Sequence, residues 1–115
     1  MNTLKNTVSL IGNLGKDPEL TTLASGGKLA KFSIATNESY KDKNGQWANT
    51  TQWHNVVAWG KTAELVNQVL KKGSEVVLEG KLENDAYTDK EGTKRYITQI
   101  NLREFMLIRK EEQKK

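Results

Sequence analysis

The stretch that determines the fold is Thr50-Thr51-Gln52-Trp53-His54-Asn55-Val56-Val57-Ala58-Trp59-Gly60-Lys61. Side chains alternate between the two faces of a β-strand. One face of this strand therefore carries Trp53, Asn55, Val57 and Trp59, and the other carries His54, Val56 and Ala58. Spaced indoles with a lysine at their edge suit single-stranded nucleic acid, because every base has a π-face and every nucleotide a phosphate. Two half-buried tryptophans in an ordinary sheet are an equally good interpretation of this stretch alone.

Length and composition indicate one small domain with a polar surface. The chain has 115 residues, of which 36% are hydrophobic, and its mean hydropathy is -0.70. One domain is expected at this length. Eighteen Lys and Arg against fourteen Asp and Glu give a formal charge of +4. This excess favours an anionic partner, although a mildly basic protein without one fits the charge equally well.

The residue inventory argues against an enzyme. Cysteine is absent and histidine occurs once, so thiolate metal sites, disulfides and Cys–His dyads are excluded. No motif places a serine and a carboxylate with the single histidine. We therefore predict no catalytic residue, no metal and no cofactor. The chain begins without the apolar run of a secretory signal and has no stretch of about 18 apolar residues, so we predict a cytoplasmic protein without membrane association.

Five strands and one helix are predicted along the chain. The strands cover residues 7–14, 29–36, the opening stretch, residues 75–82 and residues 96–108. The helical pattern follows Gly60, with Thr62 as a candidate N-cap and Lys71, Lys72 and Gly73 at its end. Asn44-Gly45 predicts a two-residue hairpin turn between the second and third strands. Residues 89–92 predict a second hairpin between the fourth and fifth.

This order of elements predicts an all-β fold with one short helix. Three strands, a helix and two more strands are the sequence of a five-stranded Greek-key OB-fold barrel, here with extended hairpin loops. We assign residues 1–108 to this domain and residues 109–115 to a short charged tail. Barrels of this kind bind oligonucleotides across their second and third strands and through the neighbouring loops.

Six segments of the chain resemble the bacterial single-stranded DNA-binding proteins. They lie in the same order as in that family, from about residue 8 to residue 102. The segments are GNLGKDPE (12–19), ATNESY (35–40), WHNVV (53–57), GKTAE (60–64), KGS (72–74) and VLEGKL (77–82).

The resemblance implies a homotetramer that coats single-stranded DNA during replication, recombination and repair. It implies base stacking on Tyr40, Trp53, Trp59 and Tyr87, and subunit contacts at His54 and Val56. Trp47 is a further aromatic on the same hairpin as Tyr40. Trp47 either extends the stacking path or packs across the hairpin against Tyr40. The sequence is compatible with both alternatives. Candidate phosphate contacts are Lys41, Lys43, Lys61, Lys71 and Lys72.

The sequence departs from the family pattern in three places, and these departures change what we expect of DNA binding and of partner recruitment. Glu83 and Asp85 precede Tyr87 where the family usually has cations, and Asn55 replaces another frequent cation. We therefore expect a shallower salt dependence of binding than in a fully basic relative. An OB-fold accessory or assembly protein that binds DNA weakly is the alternative function. The sequence ends at Lys115 without the acidic tip common in the family, so recruitment of repair proteins through such a tail is not expected.

Overall fold

A computed structural model describes residues 5–109 of the chain. The elements are strands β1 (Val8–Leu14), β2 (Glu19–Thr22), β3 (Lys28–Lys41) and β4 (Trp47–Trp59), helix α1 (Gly60–Val69), and strands β5 (Glu75–Thr88) and β6 (Lys94–Arg109). Arg109, which we had assigned to the charged tail, is the last residue of β6. The remainder of the predicted tail, residues 110–115, lies outside the described residues.

Five of these strands close a barrel, as predicted. The hydrogen-bonded order is β1-β5-β6-β4-β3, and β3 returns to β1. All pairings are antiparallel except that of β4 with β6, which is parallel at Val56↔Ile100 and Val57↔Asn101. The last contact in the ring joins the end of β1 to β3, at Asn13↔Ala35 and Leu14↔Ile34. Closure leaves few free strand edges within the barrel.

The short strand β2 was not predicted. Its four residues pair with Lys28–Lys31, the first part of β3, where β1 does not pair with β3. Pro18 directly precedes β2 and is not part of the β2–β3 ladder. Proline has no N–H donor, so it is tolerated at this position, where no ladder hydrogen bond is needed. A turn over residues 23–27, closed by the Leu23 N–H donating to Gly27 O at 2.7 Å, makes β2 and β3 a hairpin.

The barrel interior holds a single apolar core. Within the barrel, the even-numbered side chains of β3 and β4 point inward, among them Ile34, Val56 and Ala58. Helix α1 closes one end of the barrel with Ala63 and Val66. Val56 is only 1% exposed in the single chain, so its side chain has no surface left for a second subunit. The prediction that Val56 contacts another subunit is therefore wrong; it is a core residue.

Helix α1 begins earlier than predicted. Gly60 is its first residue and Trp59 is its N-cap, without a side-chain hydrogen bond to the first turn. Thr62 therefore lies inside the helix and is not the cap. Lys71 and Lys72 follow the last helical residue, Val69, and lie in the connection to β5. The strand leads directly into the helix at Gly60, whose φ of 62° is in a region that favours glycine.

Two hairpin arms extend beyond the barrel. The β3–β4 arm comprises residues 36–52 and the β5–β6 arm residues 83–99, where each strand pairs only with its hairpin partner. Their turns are alike. Asp42 Oδ1 accepts hydrogen bonds from the N–H groups of Asn44 and Gln46, and Asp89 Oδ1 accepts from those of Glu91 and Thr93. The first turn has three residues between Asp42 and Gln46, so the prediction of a two-residue Asn44-Gly45 turn is wrong.

The turn of the β5–β6 arm contains a carboxyl group, Asp89, whose pKa is lowered by its hydrogen-bond partners. The Arg95 guanidinium donates to Asp89 Oδ2 at 2.9 Å, and this contact, with the Thr93 and Glu91 N–H groups, holds the pKa of Asp89 below its ordinary value of 3.8. A carboxylate with a depressed pKa stabilises the folded state above its unfolded-state pKa, and this contribution is lost as the pH falls through the folded value. The contribution of Asp89 to the stability of the turn is therefore fully present at neutral pH.

We expect amide exchange at Glu91 and Thr93 to accelerate as the pH falls below about 3.8, beyond the change that the intrinsic exchange rate causes. In Asp89→Asn, which keeps an oxygen acceptor but loses the charge, the protection factors should be lower at neutral pH and should not change further in acid. Protection in the wild type that stays constant from pH 6 to below pH 3, on the order of a full unit under the ordinary Asp pKa, would contradict the assignment.

Candidate nucleic-acid interface

The outer face of β4 carries three exposed indoles. Trp53 pairs with Ala35, Trp59 with Leu29 and Trp47 with Lys41 across the β3–β4 ladder. The three tryptophans are odd-numbered, so they share one face of the strand. Their exposed fractions are 61% for Trp53, 48% for Trp59 and 70% for Trp47. The predicted faces of the opening stretch are thus confirmed, and Trp47 extends the row onto the β3–β4 arm.

Gly15 fixes the position of the Trp53 ring. The Gly15 N–H donates to Ser33 O at 3.2 Å, which holds the loop after β1 against β3. A Cβ atom on Gly15 would lie 2.6 Å from Cζ3 and 2.8 Å from Cη2 of Trp53. The indole therefore rests on the Gly15 backbone, in space that any other residue would fill. One surface of the ring is supported by the barrel while most of its area remains exposed.

Replacement of Gly15 by alanine should displace this indole and weaken ligand binding at Trp53. Gly27→Ala is the matched control, because a Cβ there meets only Leu23 and Ser25 side chains at ordinary contact distances of 3.7 and 3.8 Å. In titrations with oligo-dT we expect Gly15→Ala to lose up to the roughly 1–3 kcal/mol of one stacked base and Gly27→Ala to bind like the wild type. Equal affinity of both variants would show that Gly15 does not position the ring.

Tyr40 lies on the other face of the β3–β4 arm. It pairs with Ala48, whereas the neighbouring pair, Lys41↔Trp47, faces the opposite side. Packing of Trp47 against Tyr40, one of the two interpretations of the sequence, is therefore wrong. The partner of Trp47 is Lys41, whose Nζ lies 5.6 Å from the ring centroid, within cation–π range. Trp47 and Lys41 together present an aromatic plane and a cation on the outer face.

Tyr87 occupies the outer face of the β5–β6 arm. It pairs with Arg95, which is held by Asp89, so a cation stands beside this ring too. Glu83 and Asp85 share the same face. Glu83 accepts a hydrogen bond from Asn101 at 3.1 Å and Asp85 from Gln99 at 3.2 Å. Both partners are neutral amides, so the negative charges remain uncompensated on this side of the arm.

A groove runs along the outer face between Trp53 and Trp59. Two lysines in it were not among the predicted site residues: Lys31, which pairs with Val57, and Lys16. Residues from four parts of the chain line it: Lys16, Asp17, Glu19, Lys31, Phe32, Ser33, Asn55, Val56, Val57, Ile97 and Gln99. The register of β3 with β4 brings Lys31 into the groove.

Comparison with known proteins identifies the family of this fold and surface. Residues 5–108 match the sequence model of the Single-strand binding protein family. The chain belongs to this family. The resemblance inferred from the sequence is thereby confirmed, and with it the OB-fold of the barrel.

Two relatives show the extent of the similarity. The chain is 47% identical over 96 residues, or 83% of its length, to Single-stranded DNA-binding protein 1 of Chlorobaculum tepidum, and spans 59% of that protein. Among solved structures it resembles the Plasmodium falciparum SSB in complex with ssDNA, with a TM-score of 0.84 and 30% identity. That match covers 90% of this chain and 94% of the other.

This member of the single-strand binding protein family has five lysines that we predicted to contact phosphate. All five are exposed. Lys41 and Lys43 lie at the tip of the β3–β4 arm, and Lys61 follows Trp59 in the first turn of α1. Lys71 and Lys72 lie in the loop after α1, which is tied to the groove where the Lys72 N–H donates to Asp17 Oδ1 at 2.8 Å. Arg95 was not among the predicted site residues, because its position beside Tyr87 depends on strand register.

His54 lies away from the tryptophans, as predicted. It is half-buried on the inward-pointing side of β4, and its Nε2 is 3.0 Å from the hydroxyl of Thr36. The single histidine therefore takes part in a polar contact between β3 and β4 and does not reach the outer face.

Residues 5–109 contain neither a metal-binding cluster nor a membrane-spanning helix. No cluster of three or more His, Asp or Glu side chains there could hold a metal ion. Helix α1 is too short to cross a membrane, and no other described helix is long and apolar enough to do so.

Proposed function

We propose that this protein binds single-stranded DNA by stacking bases along the outer face of β4. The observation that carries the proposal is the row of three exposed indoles, Trp47, Trp53 and Trp59, on one strand face. Bases of any identity stack on such planes, so binding tolerates sequence. Tyr87 continues the row on the β5–β6 arm, and Tyr40 adds a stacking surface on the other side of the β3–β4 arm.

Phosphate contacts come from cations that border this row. Lys31 and Lys16 lie in the groove between Trp53 and Trp59, and Lys41 stands over Trp47. The remaining candidates are Lys43, Lys61, Lys71, Lys72 and Arg95. Glu83 and Asp85 repel phosphate near Tyr87, so stacking supplies more of the affinity than charge does. For single-strand binding proteins in general a stacked base is worth about 1–3 kcal/mol.

The test is a titration of tryptophan fluorescence with a long oligo-dT at low and high salt. Stacking quenches the indoles, so we expect strong, saturable quenching that survives added salt. Each phosphate contact contributes a slope of about -0.7 to the plot of log affinity against log salt. A slope as steep as that of a relative with cations at positions 83 and 85 would contradict the dominance of stacking. The absence of quenching at micromolar protein would favour the alternative, an OB-fold accessory protein.

The protein also self-associates, as a homotetramer, through the side of the barrel remote from the tryptophans. Ile11, Val77 and Met106 lie directly opposite one another across β1, β5 and β6. Ile11 and Met106 are 57% and 68% exposed, so the row is an apolar surface without a cover in the single chain. Within the described residues β1 also has one strand edge unpaired from Val8 to Gly12, and such an edge can pair with another copy.

This activity places the protein in processes that expose single strands, namely replication, recombination and repair. Its position in a bacterial cell would follow the DNA, in the cytoplasm and at the nucleoid. We assign it no catalysis and no cofactor. His54, on the inward side of β4, remains a candidate for a subunit contact because the histidine is only half-buried in the single chain.

A further inference from the structure

The two faces of the β5–β6 arm differ in charge. Residues directly opposite each other on two paired strands point to the same face. The pairing of β5 with β6 therefore assigns each side chain of the arm to one of two faces. The outer face carries Glu83, Asp85, Tyr87, Arg95, Ile97 and Gln99. The other face, which we call the reverse face, carries Asn84, Ala86, Thr88, Lys94, Tyr96 and Thr98. The outer face thus has two carboxylates and one cation, whereas the reverse face has one cation and no carboxylate. A polyanion is repelled less by the reverse face.

Tyr96 is the principal feature of the reverse face. It is 72% exposed, more than any other large hydrophobic side chain among residues 5–109. The residue opposite is Ala86, which is too small to cover the ring. Lys94 lies two residues away on the same strand, with its Nζ 5.8 Å from the ring centroid. The reverse face therefore pairs an aromatic plane with a cation, as Lys41 and Trp47 do on the outer face of the other arm.

We propose that Tyr96 and Lys94 form an additional stacking site for single-stranded DNA on the reverse face of the β5–β6 arm. The inference rests on the proposed function, since the occupant is the same strand that stacks on Tyr87. Tyr87 and Tyr96 lie on opposite faces of a two-stranded ribbon, and neighbouring strands are only about 4.8 Å apart. A strand that leaves Tyr87 passes around this thin arm and reaches Tyr96, with Lys94 contacting a phosphate. A strand too short to round the arm does not use the site.

Oligonucleotide length separates this site from the outer face. One OB fold binds about 4–16 nucleotides, so the probes are an oligo-dT of about 6 nucleotides and one of about 30, roughly twice the upper limit. For Tyr96→Thr, a substitution that keeps a strand-forming residue, we expect affinity for the longer probe to fall about fivefold or more, the low end for one stacked base. Affinity for the shorter probe should not change, and Tyr96→Phe should bind both probes like the wild type.

Two further measurements test the roles separately. Lys94→Gln should lower the salt slope for the longer probe by about 0.7, whereas Lys90→Gln, which removes a charge at the tip of the same arm, should leave it unchanged. In the unmodified protein, photocrosslinking with 5-iododeoxyuridine in the longer probe should label the peptide that contains Tyr96. This readout does not depend on the stability of any variant.

The outcomes distinguish the inference from the function on which it rests. Wild-type protein that binds neither probe overturns both. Tight binding of the longer probe, with Tyr96→Thr within twofold of the wild type or with crosslinks at Tyr87 and none at Tyr96, overturns the second site and leaves single-strand binding intact.

Discussion

Replacement of Trp53 by alanine is expected to weaken binding of oligo-dT by about 5- to 150-fold, the equivalent of roughly 1–3 kcal/mol for one stacked base. Trp53 is the middle indole of the row and is the one that rests on Gly15. Because the ring is already held in place, little conformational freedom is lost when a base stacks on it. The variant should melt like the wild type, since the side chain is 61% exposed. The measurement is a titration with labelled oligo-dT by anisotropy.

Leu65→Ala is the matched control for this experiment. Leu65 is an exposed apolar side chain of comparable exposure, 51%, but it belongs to helix α1 and not to the outer face of β4. We expect its affinity to equal that of the wild type. Trp47→Ala should cost less than Trp53→Ala, because Trp47 stands on the β3–β4 arm and is the more exposed of the two. Unchanged affinity in Trp53→Ala would remove the outer face of β4 as the binding surface.

Replacement of Val77 by lysine should convert the proposed tetramer into smaller species. Val77 lies in the middle of the apolar row, directly between Ile11 on β1 and Met106 on β6. Burying an unpaired ammonium in an apolar contact costs several kcal/mol, and each symmetry-related copy would suffer it. The cost falls on assembly, because position 77 points outward and is not part of the core cluster. Sedimentation velocity or light scattering after gel filtration gives the mass.

Leu65→Lys serves as the control for the added charge. It places the same ammonium on an exposed apolar position of helix α1, and we expect it to retain the mass of the wild type. Val77→Lys should still bind a short oligo-dT, because the outer face of β4 lies on a different pair of strands. A Val77→Lys protein with wild-type mass would show that the β1–β5–β6 surface is not the assembly contact.

Much of the fold was predictable because its signals are local. Alternation of side chains within Trp53–Trp59 separates the exposed indoles from the core residues Val56 and Ala58, and the order of strands around one helix identified the barrel. Turn residues placed both hairpin arms. Strand β2 escaped prediction because its four residues are all exposed and so lack an alternating pattern; its strand pairing is with β3 alone.

What the sequence by itself determined is which aromatic and cationic residues each strand presents, because a strand's alternation is a property of consecutive residues. What only the tertiary structure decided is which residues meet between strands. The register of β3 with β4 placed Trp47 beside Lys41 and turned Tyr40 to the other face. The register of β5 with β6 set Arg95 beside Tyr87 and placed Tyr96 opposite the small Ala86 on the reverse face. Contact between the Trp53 ring and Gly15 required the barrel to close, since pairing and closure depend on partners that are distant in the chain.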